Sequence, residues 1–250
     1  MSRITLEICV DDAAGIVAAT AGGADRIELC AALALGGLTP SAGLMALAAE
    51  GPLPALAMIR PRAGDFVFCR DELRAMRAEI AAVRAAGLAG VVIGASQPDG
   101  RLDAAALEEL VAAAEGLDIT LHRAVDLVPD PAEAMALCAR LGIGRVLSSG
   151  GAMRAAAGID RLAVMAGLGV SVMPGGGVNA GNVGLFASRL PLTEIHASAS
   201  VAAPPAADAR VMDFGFQPPG ARRTDAAAVR ALRQALDQIT ASRPAGWTSS

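Results

Sequence analysis

The chain has 250 residues, a formal net charge of −4 and 54% hydrophobic residues. That length suits one α/β barrel or two smaller domains, and the large apolar share with only 18% charged residues excludes disorder over most of the chain. The acidic balance, 2% aromatics and absence of Tyr leave no footprint for nucleic acid, and all 21 basic residues are Arg, which excludes Schiff-base lysine chemistry and a P-loop lysine.

The first residues, MSRITLEICVDD, turn acidic too soon for a signal peptide. Eight β-rich apolar runs are read as strands, at 4–10, 26–29, 55–59, 90–93, 119–122, 145–148, 170–173 and 194–196. Alanine-rich segments between them are read as helices, among them 71–86, 103–114, 131–141 and 179–188. The first of these carries Leu73, Met76, Ile80 and Val83 on one helical stripe. Glycines at 22–23, 87, 142–144 and 167–169 pass each helix on to the next strand, because glycine enters the left-handed cap without a Cβ penalty.

Repeating βα units of this kind predict a single (β/α)8 barrel over 1–240. An open doubly wound sheet is the competing arrangement, disfavoured by the lack of an early G-x-G-x-x-G. Residues 202–209 and 217–223 read as loop, Thr224 caps a last helix over 225–239, and 241–250 reads as a frayed tail. The uncharged stretches 29–49 and 162–188 are broken by Gly and Pro, so no membrane span is expected. Four cysteines without an export signal point to a reducing cytosol.

Barrel chemistry collects at the C-terminal ends of strands. Those ends hold Glu7 and Cys9, Glu28 and Cys30, Arg60 and Arg62, His122 and Arg123, Gly175–Gly177, and His196; both histidines of the chain fall there. Ionisable groups are costly to bury unless paired, so such a collection suggests a site rather than plain core. Glu7 and Cys9 share one strand face, as do Glu28 and Cys30. If these strands are adjacent and in register, the two thiols stand side by side about 5 Å apart. Thiols so placed suit a soft cation such as Cu(I), a disulfide, or plain core packing.

Glu28 is either an ion-pair partner of Arg60 or a general base tuned by Arg60 and His122. Gly175, Gly176 and Gly177, ahead of the helix expected at 179, form a candidate anion site to which Arg60, Arg62 and Arg123 add positive charge. Cys69 and Cys138 read as unrelated surface and core residues.

The sequence resembles the copper homeostasis protein CutC family. The matching segments are LEICVD from Leu6, GGADRIELCAAL from Gly22, GGLTPSAGLM from Gly36 and MIRPRAGDF from Met58. LHRAVD from Leu121, RVLSSG from Arg145, MPGGGV from Met173 and EIHASA from Glu194 follow in the family's order. The resemblance implies a cytosolic (β/α)8 barrel, a homo-oligomer, that handles copper, with Cu(I) ligands matching Cys9 and Cys30. The residues themselves carry a second expectation, a barrel enzyme of unnamed reaction acting on a small anionic or phosphorylated substrate. There Gly175–Gly177 and Arg123 would hold the anion, while Glu28, Arg60, His122 and His196 carry the chemistry.

Overall fold

The structure is a computed structural model that describes residues 3–242. Its eight parallel strands are β1 (Thr5–Val10), β2 (Arg26–Leu29), β3 (Ala55–Met58), β4 (Gly90–Ile93), β5 (Asp118–Leu121), β6 (Arg145–Ser148), β7 (Ser171–Pro174) and β8 (Glu194–Ala197). They run in the order β7-β6-β5-β4-β3-β2-β1-β8, and β7 packs beside β8 to bring the sheet round into a nearly closed barrel. Between them lie α1 (Ala13–Gly22), α2 (Ala42–Ala49), α3 (Arg70–Ala85), α4 (Ala104–Ala113), α5 (Pro131–Arg140), α6 (Ile159–Ala166) and α7 (Val183–Arg189). This is the (β/α)8 architecture expected from the spacing of the apolar runs.

Local sequence explains where the helices begin. Asp12, Asp103 and Asp130 cap α1, α4 and α5 by accepting first-turn N–H groups, and Pro131 takes the first position of α5, where no donor is needed. Alternation along each strand then sorts the side chains. Leu6, Ile8, Ile27, Leu29, Val91, Ile93, Val146 and Ile195 join the apolar layer shared with the helices. Their neighbours in sequence turn into the bore, where Cys30, Leu56, Met58 and Val92 form a small apolar cluster.

The lower part of the bore is ionic. Arg26 donates to Glu7 and to Glu194, both at 2.6 Å. Arg145 donates to Glu194 at 2.7 Å, to Thr120 at 2.7 Å and to Asp118 at 2.8 Å.

Two boundaries differ from the sequence expectation. The helix after β7 starts at Val183 rather than 179, because Asn179 and Asn182 spend their side chains on the preceding turn. The Asn179 Oδ1 accepts from Gly181 N–H, and both side-chain amides donate to the Gly177 carbonyl. The segment read as loop after β8 contains an antiparallel ribbon of β9 (Ser200–Ala202) and β10 (Arg222–Thr224), with a short helix, α8 (Arg210–Asp213), between them. The last helix, α9 (Ala226–Ser242), includes the first residues of the expected tail; 243–250 lie outside the described residues.

Helix α9 packs across α1, where Gly22 lets the two backbones approach. A Cβ on Gly22 would run into the Val229 side chain and lie 2.9 Å from the Ala226 carbonyl. Gly22→Ala is therefore expected to destabilise the fold by ~1–3 kcal/mol in chemical denaturation. Val229→Ala in the same chain should not restore the fold, because alanine keeps the Val229 Cβ, the atom nearest the new methyl, and the Ala226 carbonyl stays in place.

Candidate functional site at the barrel mouth

The C-terminal ends of the strands enclose a cavity of about 220 Å³. Cys9, Glu28, Arg60, His122, Arg123, Gly176, Gly177 and His196 line it, so most of the expected site residues meet there. Met58, Phe66, Leu147 and Ser198 line it as well.

Histidine 196 is fixed from below. Its Nδ1 lies 2.8 Å from Glu7 Oε1, while Glu7 Oε2 accepts from Arg26. Burial alone would raise the Glu7 pKa, but the His196 hydrogen bond and the Arg26 charge outweigh it and hold the group at about 2. With Nδ1 donating to a carboxylate, the other ring nitrogen, Nε2, faces Glu28 Oε2 at 3.8 Å. Burial pulls the His196 pKa down, yet the negative charge of Glu28 leads the effects that lift it well above its ordinary value.

Glu28 is shifted in the direction opposite to Glu7. Burial pushes its pKa up, with His196 opposing and Glu7 adding to the rise. Its Oε2 accepts from the Cys30 thiol at 3.6 Å, and its Oε1 is buried without a partner. A ligand atom from each of Cys9, Glu28 and His196 lies within 4.8 Å of the others, a donor set suited to a metal ion.

The thiols do not stand directly opposite each other. The β1–β2 register pairs Cys9 with Glu28, not with Cys30, because the strands are staggered as barrel closure requires. Cys30 sits one pleat further on, its pKa raised by burial first and then by the charges of Glu28 and Cys9. Cys9 is likewise buried and free, and its thiol points to the Ala197 carbonyl at 3.8 Å. Cys69 is exposed at the start of α3, and Cys138 is buried in α5, its pKa pushed up to about 12 by burial.

Arg60 is not the ion-pair partner of Glu28. Its guanidinium donates to the carbonyls of Leu35 (2.8 Å), Gly37 (3.1 Å) and Gly64 (2.8 Å), tying together the loops that follow β2 and β3. Its Nε faces no partner among the described residues. Phe66 packs against both this guanidinium (5.0 Å) and the His122 ring (4.8 Å).

The His122 Nδ1 accepts from Ala124 N–H, which leaves Nε2 buried and unpartnered. Gly94 makes room for this ring, since a Cβ there would run into it. Burial and then the Arg60 charge lower the His122 pKa to about 3.

At the rim, Asp126 and Ser149 hold Arg123 beside Gly176. The Gly175 N–H is spent on the Ser148 carbonyl at 2.9 Å. Arg62 is turned outward to Asp65 and Glu72.

Two contributors escape a reading of the sequence: Arg26, which anchors Glu7, and Phe66, which aligns Arg60 and His122. Arg26 has the same strand parity as Glu28, and Phe66 is a rare aromatic in this chain; both signals were available.

The CutC family profile matches residues 4–201. A CutC family protein from Rhizobium meliloti is 55% identical over 240 residues, covering 95% of this chain and 98% of the relative. One from Caulobacter vibrioides is 52% identical over 239 residues, covering 94% and 97%. Among solved structures, a candidate copper homeostasis protein CutC from Streptococcus agalactiae is 28% identical. It superposes with a TM-score of 0.74 over 78% of this chain and 98% of its own.

The environment of His122 has a consequence for pH. Its pKa falls on folding from 6.5 to about 3, so the unfolded chain binds a proton that the native state refuses. This contribution to stability is present above pH 6.5 and is lost as the pH falls toward 3. In histidine ring NMR between pH 4.5 and 8, the His122 resonances should stay in the neutral tautomer protonated at Nε2. A midpoint near 6.5 would contradict the geometry.

Proposed function

The chain belongs to the CutC family, and from that premise we propose that it is a cytoplasmic copper-handling protein that takes Cu(I) at the barrel mouth through Cys9 and Cys30, with His196 beside them. The observation that carries this reading is the convergence of Cys9, Glu28 and His196 donor atoms within 4.8 Å, with the Cys30 thiol 3.6 Å from Glu28. Thiolate and imidazole are soft enough to suit Cu(I). Both thiols are buried, so binding must release their protons, and Glu28, 3.6 Å from the Cys30 thiol, is the nearest group to receive one. The unpartnered Glu28 Oε1 leaves acceptor capacity at that spot. Four unpaired cysteines fit a reducing compartment, and among the described residues no helix is long and apolar enough to cross a membrane.

A competition titration of the reduced protein with a Cu(I) chelator tests the metal. One Cu(I) per chain is expected. Cys9→Ser or Cys30→Ser should weaken it by at least the ~10–100-fold that loss of an outer partner of a metal site costs. Equal affinity in the wild type and the double variant overturns the reading.

A different observation favours a second reading, a site for a small anionic or phosphorylated substrate. Glu28, Arg60 and His122 line one cavity, and each has a buried side-chain polar atom without a partner among the described residues: Oε1, Nε and Nε2. Such groups are costly in a folded protein unless a ligand or water meets them. Arg123 beside Gly176, and Arg154 beside Gly177, supply positive charge at the rim.

Inorganic phosphate should move the amide resonances of Gly176 and Gly177 and bind more weakly as salt rises. Arg123→Gln should abolish the effect. Resonances that stay put in the wild type overturn this reading and leave the copper reading untouched.

A further inference from the structure

A second cavity, of about 660 Å³, lies beside the mouth. The turn after β7 at 177–181, the crossing from β8 to β9 at 198–200 and one face of α9 wall it, together with Arg154 and Arg222. Gly177 and Ser198 line both cavities, but Cys9, Glu28, Arg60, His122, Arg123 and His196 line only the mouth. The β9–β10 ribbon, which reads as loop in the sequence, forms part of this wall: β10 supplies Arg222 and β9 supplies Ser200.

The chain carries a net charge of −4, yet two arginines and no Asp or Glu line this cavity. Arg154 is exposed and makes no hydrogen bond or ion pair with any described residue. Its guanidinium lies on Gly177, where a Cβ would stand 2.8 Å from Nη1, so glycine is what admits it. The donors of that fork are open to an acceptor in the cavity. Arg222 is fixed differently. It donates from Nε to Ser200 Oγ at 2.9 Å and from Nη2 to the Ser200 carbonyl, which leaves Nη1 without a partner among the described residues.

The backbone of the same walls adds two observations. Val178 is buried, and its N–H has no acceptor among the described residues. Buried amides left without an acceptor are rare in folded proteins. Ala199, between Ser198 and Ser200, is held at φ 42°. That left-handed conformation is costly for a residue other than glycine, and such residues gather where ligands bind.

We propose that this outer cavity binds a small organic phosphate monoester, its phosphate taken by Arg154 and Arg222 and its carbon part lying against α9. A phosphate monoester brings nearly two negative charges and three acceptor oxygens, which suits two guanidinium groups better than a single carboxylate does. Ala228, Ala231 and Leu232 give α9 an apolar face there for the carbon part. A volume of about 660 Å³ falls within the ~300–1,000 Å³ usual for small-molecule sites, so the space accepts more than a bare ion. The site needs neither the copper nor the anion reading of the mouth.

The test uses the full chain, reduced and labelled with 15N, titrated with phenyl phosphate, inorganic phosphate and phenol. The amide resonances of Ala180, Gly181 and Ala231 report it, because these residues line the outer cavity and not the mouth. Phenyl phosphate should move them saturably, more tightly than inorganic phosphate and more weakly as salt rises. Phenol should leave them in place. Arg154→Gln should weaken phenyl phosphate by about 10-fold. Ala231→Glu, at an exposed helix position that tolerates the side chain, should abolish binding by setting a carboxylate in the wall. Resonances that stay put with both phosphates, phenol that binds as well as phenyl phosphate, or wild-type affinity in folded Arg154→Gln and Ala231→Glu overturns the proposal. So do phenyl phosphate binding no tighter than inorganic phosphate and shifts that vanish in Arg123→Gln, since the latter put the anion in the mouth.

Discussion

The carboxylate of Glu7 is the constraint on which the mouth depends. One oxygen takes the Arg26 Nε–H and the other takes the His196 ring. The bonds join β2, β1 and β8, the strands where the first and last elements of the barrel meet. Through Arg26, Glu194 and Arg145 the same charge system reaches β5 and β6. Ion pairs at this depth are weak evidence for stability, because desolvation consumes most of the attraction and apolar packing often serves as well. Their contribution here is orientation: with Nδ1 tied to Glu7, the His196 ring has to turn Nε2 toward Glu28.

The mouth is thereby built from matched pairs of like residues in unlike surroundings. Glu7 has a cation and an imidazole donor and is held ionised, whereas burial without such compensation pushes Glu28 the other way. His196 sits among acids and favours its charged form; His122 sits against Arg60 and Phe66 and stays neutral. The only two histidines of the chain, and two glutamates one strand apart, thus take distinct chemical characters from their neighbours rather than from their identity.

The strand C-terminal ends were legible in the sequence because βα units repeat and because charged residues at strand ends stand out against an apolar chain. Strand parity also placed Glu7 with Cys9 and Glu28 with Cys30. What alternation does not encode is stagger. The sheet's register sets Cys9 beside Glu28, a consequence of closing eight tilted strands that no local pattern records.

Arg60 was open to misreading for a similar reason. Its partners are backbone carbonyls of two loops, and every residue has a carbonyl, so composition gives no hint of them. The late start of α7 has a local cause, the two asparagines that bond the turn ahead of it.

The ionic layer has one more effect. It fills the bore beneath the mouth from β1 round to β6 with paired charge, so the floor of the barrel below the cavity is polar rather than apolar. Cys9 and Glu28 line the same cavity above it, so a group held at one narrows the space left at the other.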